Sequence, residues 1–165
     1  MRTRHLLVAV AAGMLVFGIT LPAGAQTAAT ITVTAGALSI TVPVGAGSLG
    51  SRPNSVLGGP VNGPLGEVQV NDARHAAAGA GWVASVISTA FTPPSGPAIA
   101  ASAVGYTAGP ITKIGTATYT ANNPGDLTGV VAAVTATGIT GDNSATWTPT
   151  ITVAVPGGMA AGVYS

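Results

Sequence analysis

The amino-acid sequence predicts an all-β protein, a single β-sandwich domain of about eight or nine antiparallel strands. Three observations lead there. Apolar residues recur at every second position in run after run, the period of a half-buried strand. Twenty-four glycines and twelve prolines punctuate those runs too closely to leave room for a long helix. No window carries sustained helical periodicity with caps. Short strands at regular spacing suggest a sandwich or a barrel, and the long stretch from Pro43 to Pro64, able to carry a crossover between two sheets, favours the sandwich.

Met1-Arg2-Thr3-Arg4-His5 is a basic head, Leu6 to Leu21 is apolar apart from Thr20, and Ala23-Gly24-Ala25 precedes Gln26. This order reads as a secretory signal peptide over residues 1–25 with an A-x-A cleavage site. The apolar run is short of the roughly 18 residues a bilayer span takes, so the expected mature chain, 26–165, is exported and has no stable membrane span. Cysteine is absent. That excludes a lipid anchor through an N-terminal cysteine and leaves packing alone to hold the domain. Past the leader the charges are Arg52, Arg74 and Lys113 against Glu67, Asp72, Asp126 and Asp142. So sparse a balance rejects nucleic acid, which needs clustered Lys and Arg, and offers no polybasic signal for anionic lipid.

Thr30 to Thr34 alternates and predicts a strand. Leu38 to Val42 predicts a second, with Leu38, Ile40 and Val42 on one face. Pro43 to Pro64, rich in Gly, Pro, Ser and Asn, reads as a loop or crossover. Leu65 to Phe91 holds most of the charge. Within it Val68 and Val70 oppose Glu67, Gln69 and Asn71, the turn Ala76 to Gly81 reverses the chain, and a strand opens on Trp82. This stretch reads as a hairpin with a long loop, or as two strands in facing sheets. Thr92 to Pro97 is a rigid turn, Ile99 to Thr107 a weak strand, and Ile111 to Ala121 a stronger one with its threonines on one side and Ala117 and Tyr119 on the other. Asn122 to Asp126 is a turn, Val130 to Thr137 a strand, and Gly138 to Asn143 another turn. Thr146 to Val155 is the cleanest strand, with Trp147, Pro149, Ile151, Val153 and Val155 on one face; its proline favours an edge or a bulge. Ala161 to Ser165 reads as the start of a strand, so the domain is expected to be truncated at its C-terminus and to lack its last strand.

No residue set demands a reaction, and neither catalytic residue nor cofactor is expected. Glu67 and Asp72, five apart, would point to opposite faces of one strand. Asp126 and Asp142 sit beside asparagines, where a carboxylate commonly caps its own turn. One carboxylate per loop is thin for calcium, which takes six to eight oxygens. His75, the one histidine past the leader, builds no zinc site without cysteine, and no G-x-S-x-G turn presents a serine to it. Asp72 and Arg74, two apart, share a face and can pair, as an ordinary surface ion pair worth about 0–1 kcal/mol. Trp147 falls on an apolar face and is expected in the core. Trp82 is open between the core and a groove that stacks on sugar rings.

Four stretches carry a resemblance: Gly36-Ala37-Leu38-Ser39, Leu65 to Arg74 (LGEVQVNDAR), Gly81 to Val86 (GWVASV) and Thr146-Trp147-Thr148-Pro149-Thr150. Together they resemble the W-x-L family of cell-surface domains of Gram-positive bacteria, in the divergent form of high-GC species, with Ala84 and Pro149 standing where the family has its leucines. The resemblance implies a secreted, non-catalytic cell-surface domain that associates non-covalently with the peptidoglycan wall. The candidate wall-ligand or structural motif residues are Trp82, Trp147, Asp72 and Arg74. The alternative is a structural or adhesive surface subunit that assembles with itself or other surface proteins by strand addition, since its threonine-rich faces lack the charges that guard sheet edges.

Overall fold

A computed structural model describes residues 31–34 and 36–165. The expected signal peptide and the start of the mature chain lie outside the described residues, as does Thr30. The domain from Ala35 onward is all-β. Its strands are β1 (Leu38–Thr41), β2 (Gly59–Pro64), β3 (Val68–Val86), β4 (Val104–Thr107), β5 (Ile111–Ala121), β6 (Val131–Trp147) and β7 (Thr150–Val155). They form two antiparallel sheets, ordered β1-β3-β6-β5 and β2-β7-β4. One core cluster draws on both sheets, the mark of a sandwich.

The described residues form seven strands against the eight or nine expected, and they differ from the expected ones in several places. Residues 31–34 form no strand. The Pro43–Pro64 stretch does cross from one sheet to the other, but it ends in β2. Prolines 60 and 64 are tolerated there because β2 is an edge strand, where a missing amide can face outward. The expected reversals at Ala76–Gly81 and Gly138–Asn143 are not reversals. They lie inside β3 and β6, which stay paired across both segments. Ile99–Thr107 is strand only from Val104, after a short 3₁₀ turn at Ala101–Ala103, and Phe91 and Ile99 pair across the Pro93–Pro97 turn.

The architecture is a three-stranded antiparallel ribbon folded over at two corners. At the first, β2 leads into β3, β6 into β7 and β4 into β5, so all three lanes change sheets together. Pairing runs up to it as Pro64 with Thr150 and resumes as Val68 with Trp147. Between them Leu65 N–H donates to the Pro149 carbonyl at 2.9 Å. Pro149 therefore marks a bend, and the single strand expected over Thr146–Val155 is divided between the sheets.

The second corner folds the larger sheet upon itself. Trp147 pairs with Val68, and Trp82 lies fourteen residues further along β3, roughly 45 Å if extended. Yet the two indole rings stack with centroids 6.5 Å apart. Bulges supply the bend. From Asp72 to Ala80 β3 takes eight residue steps where β6 takes four from Asn143 to Ile139. From Ile114 to Thr116 β5 takes two where β6 takes four. Path length thus grows from β5 through β6 to β3, as it must across the width of a curved sheet. The halves of β3 face one another as one unbroken strand of one sheet, in place of the hairpin or the two strands in facing sheets that the sequence suggested.

Inside the fold, Trp82, Ala136 and Tyr119 lie abreast on three neighbouring strands. The small Ala136 lets the flanking rings lean together to 5.7 Å. Outside, threonines face threonines across β5 and β6 in four pairs: 112 with 146, 116 with 140, 118 with 137, and 120 with 135. Such pairs stabilise a sheet without charge.

Candidate functional site

Asp72 is fully buried, on the inward face with Val68 and Val70, directly opposite Asn143. Its carboxylate accepts from Arg74 Nε and Nη2, both at 2.8 Å, and from the Arg74 backbone N–H at 3.2 Å. The sequence expectation of an ordinary surface pair is therefore corrected: one partner has no exposure and the other keeps 38% of its side chain in solvent. The arginine hydrogen bonds hold the Asp72 carboxyl below the usual carboxylate range, against the opposing effect of burial. Arg74 Nη2 also reaches the Gly81 carbonyl at 3.4 Å. The pair therefore staples the bulged corner of β3 from inside. Tyr119 lies close enough that burial, and secondly the Asp72 charge, push its phenol up.

Both tryptophans are core residues. Trp147 is 2% exposed and donates from Nε1 to the Tyr106 hydroxyl at 2.7 Å, linking the two sheets. Burial pushes the Tyr106 phenol up, against the lowering effect of that bond. Trp82 is 8% exposed, so it lines no open sugar groove. Its Nε1 and Asn143 Oδ1 find no hydrogen-bond partner among the described residues. The four sequence-chosen residues gather at the second corner, with Trp82, Trp147 and Asp72 buried and Arg74 partly in solvent.

The remaining titratable groups are dispersed. Asp126 accepts from the Thr128 N–H at 2.8 Å and hydroxyl at 2.6 Å, which lowers its pKa and matches the expected turn cap. Asp142 does not cap a turn of its own. It accepts at 2.9 Å from the backbone N–H of His75 on the neighbouring strand, where His75 takes a left-handed φ of 51°. Among the described residues no group of three or more His, Asp or Glu could hold a metal ion, and no helix is long and apolar enough to cross a membrane.

The feature that sequence reasoning missed is a groove of about 860 Å³, bordered by the 46–55 loop, the end of β3, the inner residues of β7 and the 159–165 tail. Leu49, Val86, Leu127, Val153, Met159 and Tyr164 are among its lining, and Arg52 is the one charged side chain there. Arg52 is itself turned onto the carbonyls of Gly58, at 2.6 Å, and Pro60, at 3.5 Å. At Val86 the groove meets the end of β3, one side of which has little cover among the described residues. β1 covers β3 only from Gln69 to Asp72, extended by two backbone bonds between Ala73 and Gly36–Ala37. From Arg74 to Val86 the side of β3 away from β6 carries no strand among the described residues. Compared with known proteins, the chain matches no family model, no curated protein and no solved structure.

Proposed function

We propose that this chain is a secreted, non-catalytic structural subunit of the bacterial cell surface that assembles with itself or with other surface proteins by strand addition. The observation that carries the reading is the edge of β3 at Trp82–Val86, which carries no strand among the described residues and whose end at Val86 lines the apolar groove. The other edges are guarded: β2 by Pro60 and Pro64, β5 by Lys113, and β1 and β4 by being four residues long. Trp82–Val86 contains no charge and no proline, and added strands take main-chain hydrogen bonds from such an edge. Amide hydrogen exchange tests it. The outward amides of residues 82–86 should exchange fast in dilute protein and become protected on concentration or on the cell surface. Fast exchange under all three conditions would overturn it.

A second reading, non-covalent association with peptidoglycan, is favoured by the way β3 joins Val68–Arg74 and Gly81–Val86, from two stretches of the W-x-L resemblance, in one strand beside the Trp147 segment. With both indoles buried, the polymer would meet the threonine pairs of β5 and β6 instead. Purified protein should then sediment with cell walls across salt conditions, and full recovery in the supernatant would sink this reading.

A further inference from the structure

We infer that the groove between the 46–55 loop, β7 and the 159–165 tail binds a single-chain aliphatic carboxylate, with its alkyl chain laid along the inner face of β7 and its carboxylate on Arg52. This is a binding activity beyond the strand-addition reading and does not rest on it.

The groove has an apolar length and one cationic end. Ile151, Val153 and Val155 alternate inward from β7, and all three line it. At one end it is also lined by Leu65, whose N–H is bonded to the Pro149 carbonyl. Arg52 stands at the other end: Gly59 pairs with Val155, and the guanidinium occupies the place a Gly59 side chain would take. From Ile151 to Val155 the strand covers about 13 Å, the reach of roughly eleven bonds of extended chain. The loop supplies the wall alongside. A Cβ at Gly63 would strike the Leu49 backbone and one at Gly50 would touch Val61, so the loop follows β2 from Gly63 to Gly59. The volume, about 860 Å³, lies within the roughly 300–1,000 Å³ of ligand pockets. Ile87 and Val163 line the groove while remaining 59% and 78% exposed, so it is open to solvent.

Charge and hydrogen bonding select the occupant. No Asp or Glu lines the groove, and among the described residues Arg52 forms no ion pair. Its bonds to the Gly58 and Pro60 carbonyls fix the guanidinium, part-buried, yet leave most of its N–H donors unused. A cation held this way favours a carboxylate, which accepts charge-assisted bonds from it. The strand residues of the walls are all valine and isoleucine, which favour an alkyl chain and would leave the hydroxyls of a sugar unpaired. A peptide strand fits worse. The β7 backbone is already paired with β2 on one side and β4 on the other, so peptide amides laid across its inner face would find no partners there.

Isothermal titration of the full exported chain with decanoate, kept below its micelle concentration, tests this beside decanol and vesicles of phosphatidylglycerol. Decanoate should bind one to one and at least about tenfold tighter than decanol, the usual gain from a hydrogen bond to a charged group. Shorter acids should bind about fourfold more weakly for each methylene removed. Arg52→Gln should bring decanoate down to the affinity of decanol and leave decanol unchanged. Asn54→Glu, at an exposed groove position two residues on, should do the same by repulsion, and it serves alone should Arg52→Gln fail to fold. Equal affinities for the acid and the alcohol in the parent, or a decanoate affinity that neither substitution moves, would overturn the inference. So would an affinity indifferent to chain length, which places the alkyl chain outside the groove. Binding to the vesicles with none to the monomeric acid would overturn it too, by assigning the groove to a membrane surface. None of these outcomes bears on strand addition, which hydrogen exchange at residues 82–86 reads separately.

Discussion

Trp147 is held twice, by its stack on Trp82 and by the bond from Nε1 to Tyr106. Trp147→Ala should cost about 3–5 kcal/mol, the usual range for a buried aromatic. Trp147→Phe should cost less, keeping most of the packing but leaving Tyr106 without its donor; thermal unfolding of both checks the order. Trp82→Ala belongs to the same class because its ring is also enclosed, so it should melt far below the parent instead of showing the mild effect of a groove residue. For Asp72 the sign follows from its lowered pKa. Its contribution is complete above the unfolded value of about 3.9 and is lost as pH falls through the lower folded value. Arg74→Ala removes the largest cause of that lowering, the side-chain hydrogen bonds, and leaves a buried carboxylate without its ion-pair partner. The variant should melt well below the parent at neutral pH, and the gap should narrow as pH falls through the parent carboxyl's lowered value, where the pair's contribution is lost. A gap that widens in acid would refute the internal staple. The Asp72–Arg74 pairing was legible from the two-residue spacing. Its burial was not, because only the corner of β3 encloses it.

At the scale of the element, β5 was legible to the residue, Ile111–Ala121, with its threonines outward as the alternation requires. β3 and β6 were not, since alanine, glycine and asparagine clusters serve both a reversal and a bulged corner, and pairing partners decide between them. Gly115 shows what the corner demands. Its φ is +89°, and an added Cβ would come within 2.5 Å of Asn143 Oδ1 and 2.6 Å of the Asp142 carbonyl. Gly115→Ala should therefore cost at least the roughly 1–3 kcal/mol of a strained left-handed residue. Denaturant midpoints measure it, and a neutral result would mean the corner is not bent there.

Over the whole molecule, one core cluster and one continuous three-lane ladder imply a single cooperative unit. Unfolding followed by tryptophan fluorescence and by far-ultraviolet circular dichroism should give coincident curves; separate midpoints would mean that the sheets melt apart. Ala136→Leu, set between Trp82 and Tyr119, should cost about 1–3 kcal/mol through overpacking and so lower that common midpoint. By itself the sequence determined the all-β class, the inward set from Trp147 to Val155 and the threonine-covered exterior, because a period of two is a local property of extended chain. Only the tertiary structure decided that Pro149 turns the chain between sheets, that the bulges fold the larger sheet until two tryptophans stack, and that the end of β3 borders an apolar groove. Each of these depends on residues tens of positions apart, whose meeting is set by register across strands and has no signature within any one of them.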